Sequence, residues 1–442
     1  MKVVKELLGL NETNIKILKV EEIHKNNKKI KSIIVIGTNK KEKCPICSKY
    51  TKSIHDKLKP SKIKYLKMAE YDTEISLIKR RFICHKCNKK ITENINLSKY
   101  RSNISNKLEI KIRKDLLKYN LSIKYIAEIN NVSPTEVRNV LIDAMKNYPS
   151  YQKTLPEVIS FDEFKADTNY GKYAFIMNDP VKKKVLDILP NRKKEYLINY
   201  FTRVENRNNV KYVISDMYET YLIVTKLMFP NAKFIVDKFH YIRYIMDALD
   251  DIRIRLQKEY GYNSKEYKIL KNKKNIALLR SRYIDINWYV YSKRYEHGRY
   301  IEKLNINILN NMLEISDELN RGYELKELFL DIINNSTFES AKTDLRVWIE
   351  LCRQSEINEF IEASNTVENW LDYIVNSFID ERFTNGFTEG INNKIKVIKR
   401  VGFGYKNFDF FRLRLLYIFN GKISGNTKEK NRKSNKNEKI KK

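Results

Sequence analysis

Val158-Ile159-Ser160-Phe161-Asp162 opens the series of apolar runs that decides the fold of most of this chain. Tyr173-Ala174-Phe175-Ile176-Met177 and Lys184-Val185-Leu186-Asp187-Ile188-Leu189 follow it, and three short consecutive runs predict an antiparallel meander. A helix-compatible stretch at 195–204 leads to Tyr212-Val213-Ile214-Ser215-Asp216. A second helix near 221–228 leads to Lys233-Phe234-Ile235-Val236-Asp237.

Three strands, a crossover helix and two more strands is the order of an RNase H-like α/β sheet, in which the first and fourth strands lie side by side. Asp162 ends the first run and Asp216 the fourth, so their carboxylates are expected to meet. Phosphoryl transfer from DNA aligns an attacking and a leaving oxygen, and two Mg²⁺ (or Mn²⁺) ions per active site stabilise both if acids cluster around them. The third acid is expected from a later helix. In Thr384-Asn385-Gly386-Phe387-Thr388-Glu389-Gly390-Ile391-Asn392-Asn393-Lys394-Ile395-Lys396-Val397-Ile398-Lys399-Arg400, helical spacing puts Ile391, Ile395 and Ile398 on one face. Glu389, Asn393, Lys396 and Arg400 take the opposite one, so an acid heads a stripe suited to phosphate, with Lys399 nearby. Asp380 and Glu381 precede the Asn-Gly break and lack such a stripe. Taken singly, a strand-end Asp caps a following turn more often than it binds metal, so the metal reading rests on the conjunction. Asp237 and His240 lie at the edge of this site as supporting residues, with a helix-start Asp and a packed His as the plainer reading.

The chain has 442 residues, enough for two to four folding units. Its 86 Lys+Arg against 54 Asp+Glu leave a net charge of +32, which points to a polyanionic partner, nucleic acid by default. Codon bias of an AT-rich genome is the plainer source of Lys, Asn and Ile, but it does not account for the motifs. The start, with charges where a signal sequence would be apolar, and the lack of an 18-residue apolar window give the expectation of a cytoplasmic, nucleoid-associated protein with no membrane partner. Residues 425–442 read as a disordered basic tail.

Four of the five cysteines form two pairs, Cys44-Pro-Ile-Cys47 and Cys84-His-Lys-Cys87, and Cys352 stands alone in an amphipathic stretch. Two CxxC turns supply four thiolates to one tetrahedral Zn²⁺, a closed and therefore structural site. The strand-like runs at 74–78 and 79–83 lead into the second turn, as in a zinc ribbon. A redox dithiol is the competing reading. With four thiolates in place, His55 and His85 are read as surface residues. Arg80 and Arg81, beside the second turn, are candidate phosphate contacts or a solvated face.

Helical spacing resumes at 108–145. Ile123, Ile126, Ala127 and Ile129 form a short amphipathic helix, Asn130-Asn131-Val132 a turn, and Ser133-Pro134-Thr135-Glu136 a helix start with N-cap, N1 proline and capping box. Val137, Val140 and Leu141 point inward and leave Thr135, Arg138 and Asn139 outside, where a helix-turn-helix presents base contacts in the major groove. An ordinary helical hairpin is the alternative. The domain division that results is 1–100 for an N-terminal segment and zinc ribbon and 101–150 for the helix-turn-helix. The catalytic domain runs over 151–424 and is interrupted by a helical insertion at about 252–376, in which Trp348 and Trp370 read as core.

Taken together, Cys44 to Cys47, Lys79-Arg80-Arg81-Phe82-Ile83-Cys84-His85-Lys86-Cys87, Ile159-Ser160-Phe161-Asp162-Glu163-Phe164, Ile214-Ser215-Asp216-Met217, Val236-Asp237-Lys238-Phe239-His240 and the stretch 385–414 with Asn385-Gly386-Phe387-Thr388-Glu389-Gly390 resemble the ISL-three family of bacterial insertion-sequence transposases. The resemblance implies a DDE triad at Asp162, Asp216 and Glu389 in an RNase H-like domain with a helical insertion. It implies a transposase that binds terminal inverted repeats and target DNA, cleaves and joins strands, and works as a homodimer or higher synaptic assembly. A nuclease on the same fold without joining activity and a non-catalytic, transposase-derived regulator are the alternatives.

Overall fold

The computed structural model describes residues 5–6, 8–10, 14–25, 28–281, 289–290, 295–296, 299–300 and 303–421, so the tail expected at 425–442 lies outside the described residues. The chain divides into two compact units, residues 1–149 with 394–442 and residues 150–393.

In the first unit the strands are β1 (Ile15–Lys25), β2 (Lys28–Gly37), β3 (Glu42–Lys43), β4 (Tyr50–Thr51), β5 (Ile54–Lys57), β6 (Ser61–Met68), β7 (Tyr71–Ile78), β8 (Arg80–Cys84) and β9 (Lys89–Thr92). β1-β2-β7-β6 form one sheet, with β2 and β7 parallel. Ile33 and Val35, Ile63 and Tyr65, and Ile75 and Leu77 alternate inward from its strands to make the core. Sequence reading did not anticipate this sheet, because the lysines strung along β1 and β2 disguise the alternation as solvated charge.

The smaller ladders β3-β4 and β5-β8-β9 carry the cysteine turns. They are tied to the sheet through Glu93, which is 1% exposed. Its carboxylate accepts from the Asn39 backbone at 2.7 Å and from Arg80 three times: the backbone N at 3.1 Å, Nε at 3.2 Å and Nη2 at 2.6 Å. A Cβ on Gly37 would stand 2.0 Å from this carboxylate, so the close approach requires glycine there.

Three helices follow, α1 (Asn106–Leu116), α2 (Ile123–Ile129) and α3 (Pro134–Met145), capped by the side chains of Ser105, Ser122 and Ser133. The capping box between Ser133 and Glu136 is formed, and Asn131 takes the left-handed conformation the turn needs, φ 51°. The helix Phe408–Asn420 packs on α3 and α1. From it the buried Arg414 donates to the carbonyl of Leu116, in the last turn of α1, and to those of Lys118 and Leu121 in the segment that follows.

The second unit holds a five-stranded sheet of β10 (Val158–Thr168), β11 (Gly171–Asp179), β12 (Lys184–Leu189), β13 (Tyr212–Ser215) and β14 (Lys233–Val236). Its spatial order is β12-β11-β10-β13-β14; the first three are antiparallel, and β13 and β14 add in parallel. α4 (Lys194–Phe201) and α5 (Glu219–Met228) connect the strands. After β14 come α6 (Lys238–Tyr260) and a helical region whose core runs unbroken into that of the sheet, from Phe161 and Phe201 to Phe329, Trp348 and Phe360. Trp348 is fully buried with its indole N–H on Leu325 O at 2.8 Å, and Cys352 is buried beside it in the same helix. Among the described residues no helix is long and apolar enough to cross a membrane.

Removing one partner of a buried ion pair strands the other charge, at about 3–5 kcal/mol. Glu93→Ala is therefore expected to destabilise the first unit by about that much, read as a lowered urea midpoint. A variant as stable as the parent would show that Arg80 is held by something else.

Candidate active site and metal centre

Strand register builds the acidic site. Ser160 pairs with Ile214 across β10 and β13, and Ser215 pairs with Val236 across β13 and β14. Extending both ladders brings Asp162, Asp216 and Asp237 level at the carboxyl edge of the sheet, where open α/β sheets place ligands. Carboxylate oxygens of Asp162, Glu163 and Asp216 lie within 4.8 Å of one another. Glu163 points to the other face of β10; its carboxylate accepts from the Tyr221 hydroxyl at 2.7 Å and pairs with Arg192. The Arg192 guanidinium in turn lies between the rings of Tyr173 and Tyr218, at 4.5 and 4.7 Å.

The helix Gly386–Val401 closes one side of the site. Its Ile391, Ile395 and Ile398 are buried, as the periodicity predicts. A second, polar stripe docks on the sheet edge: the Asn385 backbone N–H donates to Asp237 at 2.9 Å, Asn178 Nδ2 donates to Thr388 Oγ1 at 2.8 Å, and Asn392 Nδ2 donates to Asp162 Oδ2 at 2.9 Å. Glu389 is exposed, one helical turn before Asn392 and so on the same side of the helix. It stands outside the three-acid cluster, yet its charge helps to raise the Asp237 carboxyl. Asn393 is exposed, and Asn392 touches Asp162. Asp237 is buried, 3% exposed, at the start of α6, with His240 Nε2 at 4.0 Å.

Crowding of like charge away from water has the expected effect. Burial, with Asp216 beside it, pushes the Asp162 carboxyl up to about 8. Burial is also the main cause that raises Glu163 and Asp237, with Asp216 adding to both. The Asn392 Oδ1 atom is buried with no hydrogen-bond partner. Acids that repel one another and an unmatched acceptor beside them fit a divalent cation with bound water.

The thiols form the second centre. Sγ atoms of Cys44, Cys47, Cys84 and Cys87 lie within 4.8 Å of one another, with Cys47 and Cys84 at 3.7 Å. Each CxxC turn ends in a left-handed residue, Ser48 at φ 58° and Asn88 at φ 49°, so the two turns repeat one geometry. The Lys49 backbone N–H draws Cys47 down to about 7, and Cys87, facing that thiolate, is pushed up to about 12. One anionic thiolate among converging thiols is the donor set a structural Zn²⁺ completes. His85 is turned away to Ser53 Oγ at 2.9 Å, and His55 to Asp56 at 3.9 Å.

A family model described as transposase, of the DDE type of ISL3, matches residues 159–415, more than half of the chain. A second, described as the zinc-finger of transposase IS204/IS1001/IS1096/IS1165, matches residues 40–87. The chain belongs to the ISL3 family of DDE transposases. It is similar to the transposase for insertion sequence element IS1001 of Bordetella parapertussis, 22% identical over 395 residues that cover 88% of this chain and 92% of that protein. The ISL3 zinc-ribbon match spans all four cysteines, and the DDE match includes Asp162, Asp216 and Glu389.

The remaining residues of interest separate by exposure. Thr135, Arg138 and Asn139 lie on the outer face of α3, with Arg138 over the Phe410 ring at 5.4 Å. Lys396 and Arg400 are exposed and Lys399 half-buried on the later turns of the helix Gly386–Val401. Arg80 is held by Glu93, and its Nη2 also donates to Asn39 O at 2.8 Å, so its guanidinium is turned to the protein rather than to phosphate. Arg81 is forked onto Asp56, with Nε to Oδ1 at 2.7 Å. Sequence reasoning gave no role to Glu163, Arg192 or Asn392. The available signal was the recurrence of Asn385, Thr388 and Asn392 at i, i+3 and i+7, a polar stripe on a helix already buried along another face.

Asp162 supplies a pH test. Its folded-state value of about 8 lies above the unfolded value near 3.9, so the folded protein binds the extra proton. The stabilisation is complete below about pH 4 and is lost as pH rises to about 8. In magnesium-free, zinc-replete buffer the urea midpoint should fall from pH 5 to pH 8. Asp162→Asn should flatten that slope, and an unchanged slope would put the raised group elsewhere.

Proposed function

We propose that this chain is a DNA transposase that binds the terminal inverted repeats of an insertion sequence and carries out Mg²⁺-dependent cleavage and strand transfer. The strand order of the second unit, an antiparallel meander followed by two parallel strands, supports an RNase H-like catalytic domain. The observation that carries the reading is the meeting of Asp162 and Asp216, with Asn392, from the helix of Glu389, hydrogen-bonded to Asp162. Asp162 and Asp216 hold the metal, and Glu389 is the third ligand, presented from the same side of the helix as Asn392. Glu163 and Asp237 add charge at the rim, and Asn393 and His240 stand beside them. Divalent ions held by these residues would supply Lewis-acid stabilisation of the attacking and leaving oxygens.

The protein's own part is positional. Tyr221 and Arg192 fix Glu163, Asn392 fixes the orientation of Asp162, and the Asn385 N–H fixes Asp237. The chemistry exchanges one P–O bond for another twice: water hydrolyses the phosphodiester at the element end, and the freed 3′-hydroxyl then attacks target DNA. A covalent protein intermediate is not required. In the first unit, the zinc ribbon and the helix-turn-helix of α2 and α3 recognise the repeat, with Thr135, Arg138 and Asn139 toward base edges. Arg81, Lys396, Lys399 and Arg400 serve the backbone. Two DNA ends must be processed together, which favours a dimer or larger assembly in the cytoplasm, at the nucleoid.

Cleavage and joining of DNA ends carrying the element's own repeats, in Mg²⁺, test this. Asp162→Asn, Asp216→Asn and Glu389→Gln are each expected to reduce both steps to background, while duplex binding persists. Cleavage without joining of a pre-cut end would indicate a nuclease, and full function of Glu389→Gln a non-catalytic DNA-binding regulator. Changing Lys396, Lys399 or Arg400 to Ala should flatten the slope of log K against log salt by about 0.9 for each phosphate that the side chain neutralises in the parent. An unchanged slope in all three would remove them from the DNA path.

A further inference from the structure

A cleft of about 390 Å³ opens directly beside the acidic site, lined by Asp216, Met217, His240, Arg243, Tyr244 and Trp370, with others. That volume lies near the low end of the range for small-ligand pockets, about 300–1,000 Å³. Its floor is one face of α6: His240, Arg243, Tyr244 and Asp247 recur on consecutive turns from Asp237. Its wall is Trp370, at the end of the helix Asn358–Asn369.

Two tryptophans of the helical region, Trp348 and Trp370, contrast sharply. Trp348 is sealed in the core with its N–H satisfied. Trp370 is half-buried, backed by Phe234 at 6.2 Å and Tyr373 at 5.8 Å between ring centroids, and its indole N–H has no acceptor among the described residues. It is an aromatic ring held rigidly from behind and open toward the cleft. On the same cleft, Tyr244 is 48% exposed, and Arg243 is largely exposed with a loose pairing to Asp247 at 3.5 Å.

A fixed ring, a second ring and a loosely held guanidinium are the components with which proteins hold single-stranded nucleic acid, by stacking on the base and neutralising its phosphate. A cleft of about 390 Å³ has room for one base turned out of the stack. We infer that this cleft binds an unstacked nucleobase of the DNA strand adjoining the scissile phosphate, with Trp370 as its stacking platform and Arg243 on the neighbouring phosphate. The inference rests on the active-site reading above, because Asp216 lines both places. It gives the helical region a role in positioning the strand.

The test uses the full-length, zinc-loaded protein with Ca²⁺ in place of Mg²⁺. The probes are a duplex ending in a one-nucleotide 2-aminopurine overhang and the same duplex with a blunt end. The overhang probe should be quenched on binding. Trp370→Ala should abolish the quenching and weaken overhang binding by about 5- to 100-fold, the range supported by aromatic–base stacking, while blunt-end binding stays as in the parent. Trp370→Phe should restore most of both. If Trp370→Ala fails to fold, Tyr244→Ala, at an exposed position, carries the test and should reduce the quenching and the overhang preference. Parent-like quenching and affinity in the Ala variants overturn the inference. If the parent also cleaves DNA in Mg²⁺ and Asp162→Asn does not, the active-site reading survives that failure. A parent that cleaves no DNA overturns the active-site reading, and this inference with it.

Discussion

Carboxylates brought together where parallel strands end repel one another, and the catalytic unit is arranged around holding them there. Two like charges at 4 Å oppose each other by about 4 kcal/mol in an effective dielectric near 20, a large fraction of a domain's net stability. The protein answers with polar groups from well outside the sheet. Asn392 donates to Asp162, the Asn385 N–H to Asp237, and Tyr221 and Arg192 to Glu163. The compensation remains incomplete, because Arg192 brings a single positive charge, paired with Glu163, while Asp162 stays raised. A divalent cation would match the charge that is left, and folding and metal binding would then draw on the same energy.

What was legible in the sequence was whatever depends on near neighbours. The apolar strand runs, the capping box of Ser133 and Glu136, the two CxxC turns and the isoleucine stripe of the helix Gly386–Val401 are all set by residues within a few positions of one another. The placement of Asp162 beside Asp216 was legible too, since strand order fixes which edges adjoin. The contacts that tune the site were not. Arg192 is 29 residues from Glu163 and Asn392 is 230 residues from Asp162, and no periodicity connects such pairs. Glu163 was hidden for a further reason: on a strand its side chain leaves on the face opposite Asp162, and only the end of the sheet lets both reach Asp216.

The N-terminal sheet and Arg80 show how far charge misleads when read alone. Lysines along β1 and β2 mask an alternation whose apolar residues build a core. Arg80, in a run of basic residues before a cysteine turn, has the sequence character of a phosphate contact, but it is bound to a carboxylate 1% exposed. A basic side chain near a polyanion-binding motif is therefore evidence for binding only after its internal partners have been counted. By that standard Thr135, Arg138 and Asn139, on the outer face of a capped helix, are better placed than Arg80 to meet DNA.

The helical region of the second unit follows from the same constraint. Its core is continuous with that of the sheet, so it does not hang from the catalytic domain as an independent module. α6 begins at Asp237, one of the crowded acids, and Trp370 packs on Phe234, of the strand that leads into that acid. The sheet edge that concentrates negative charge thus also fixes the first turn of α6 and the wall opposite it. A cleft built from those two elements inherits the rigidity of the strands, and rigidity is what a stacking surface needs if a flexible strand is to be held in line with the acids.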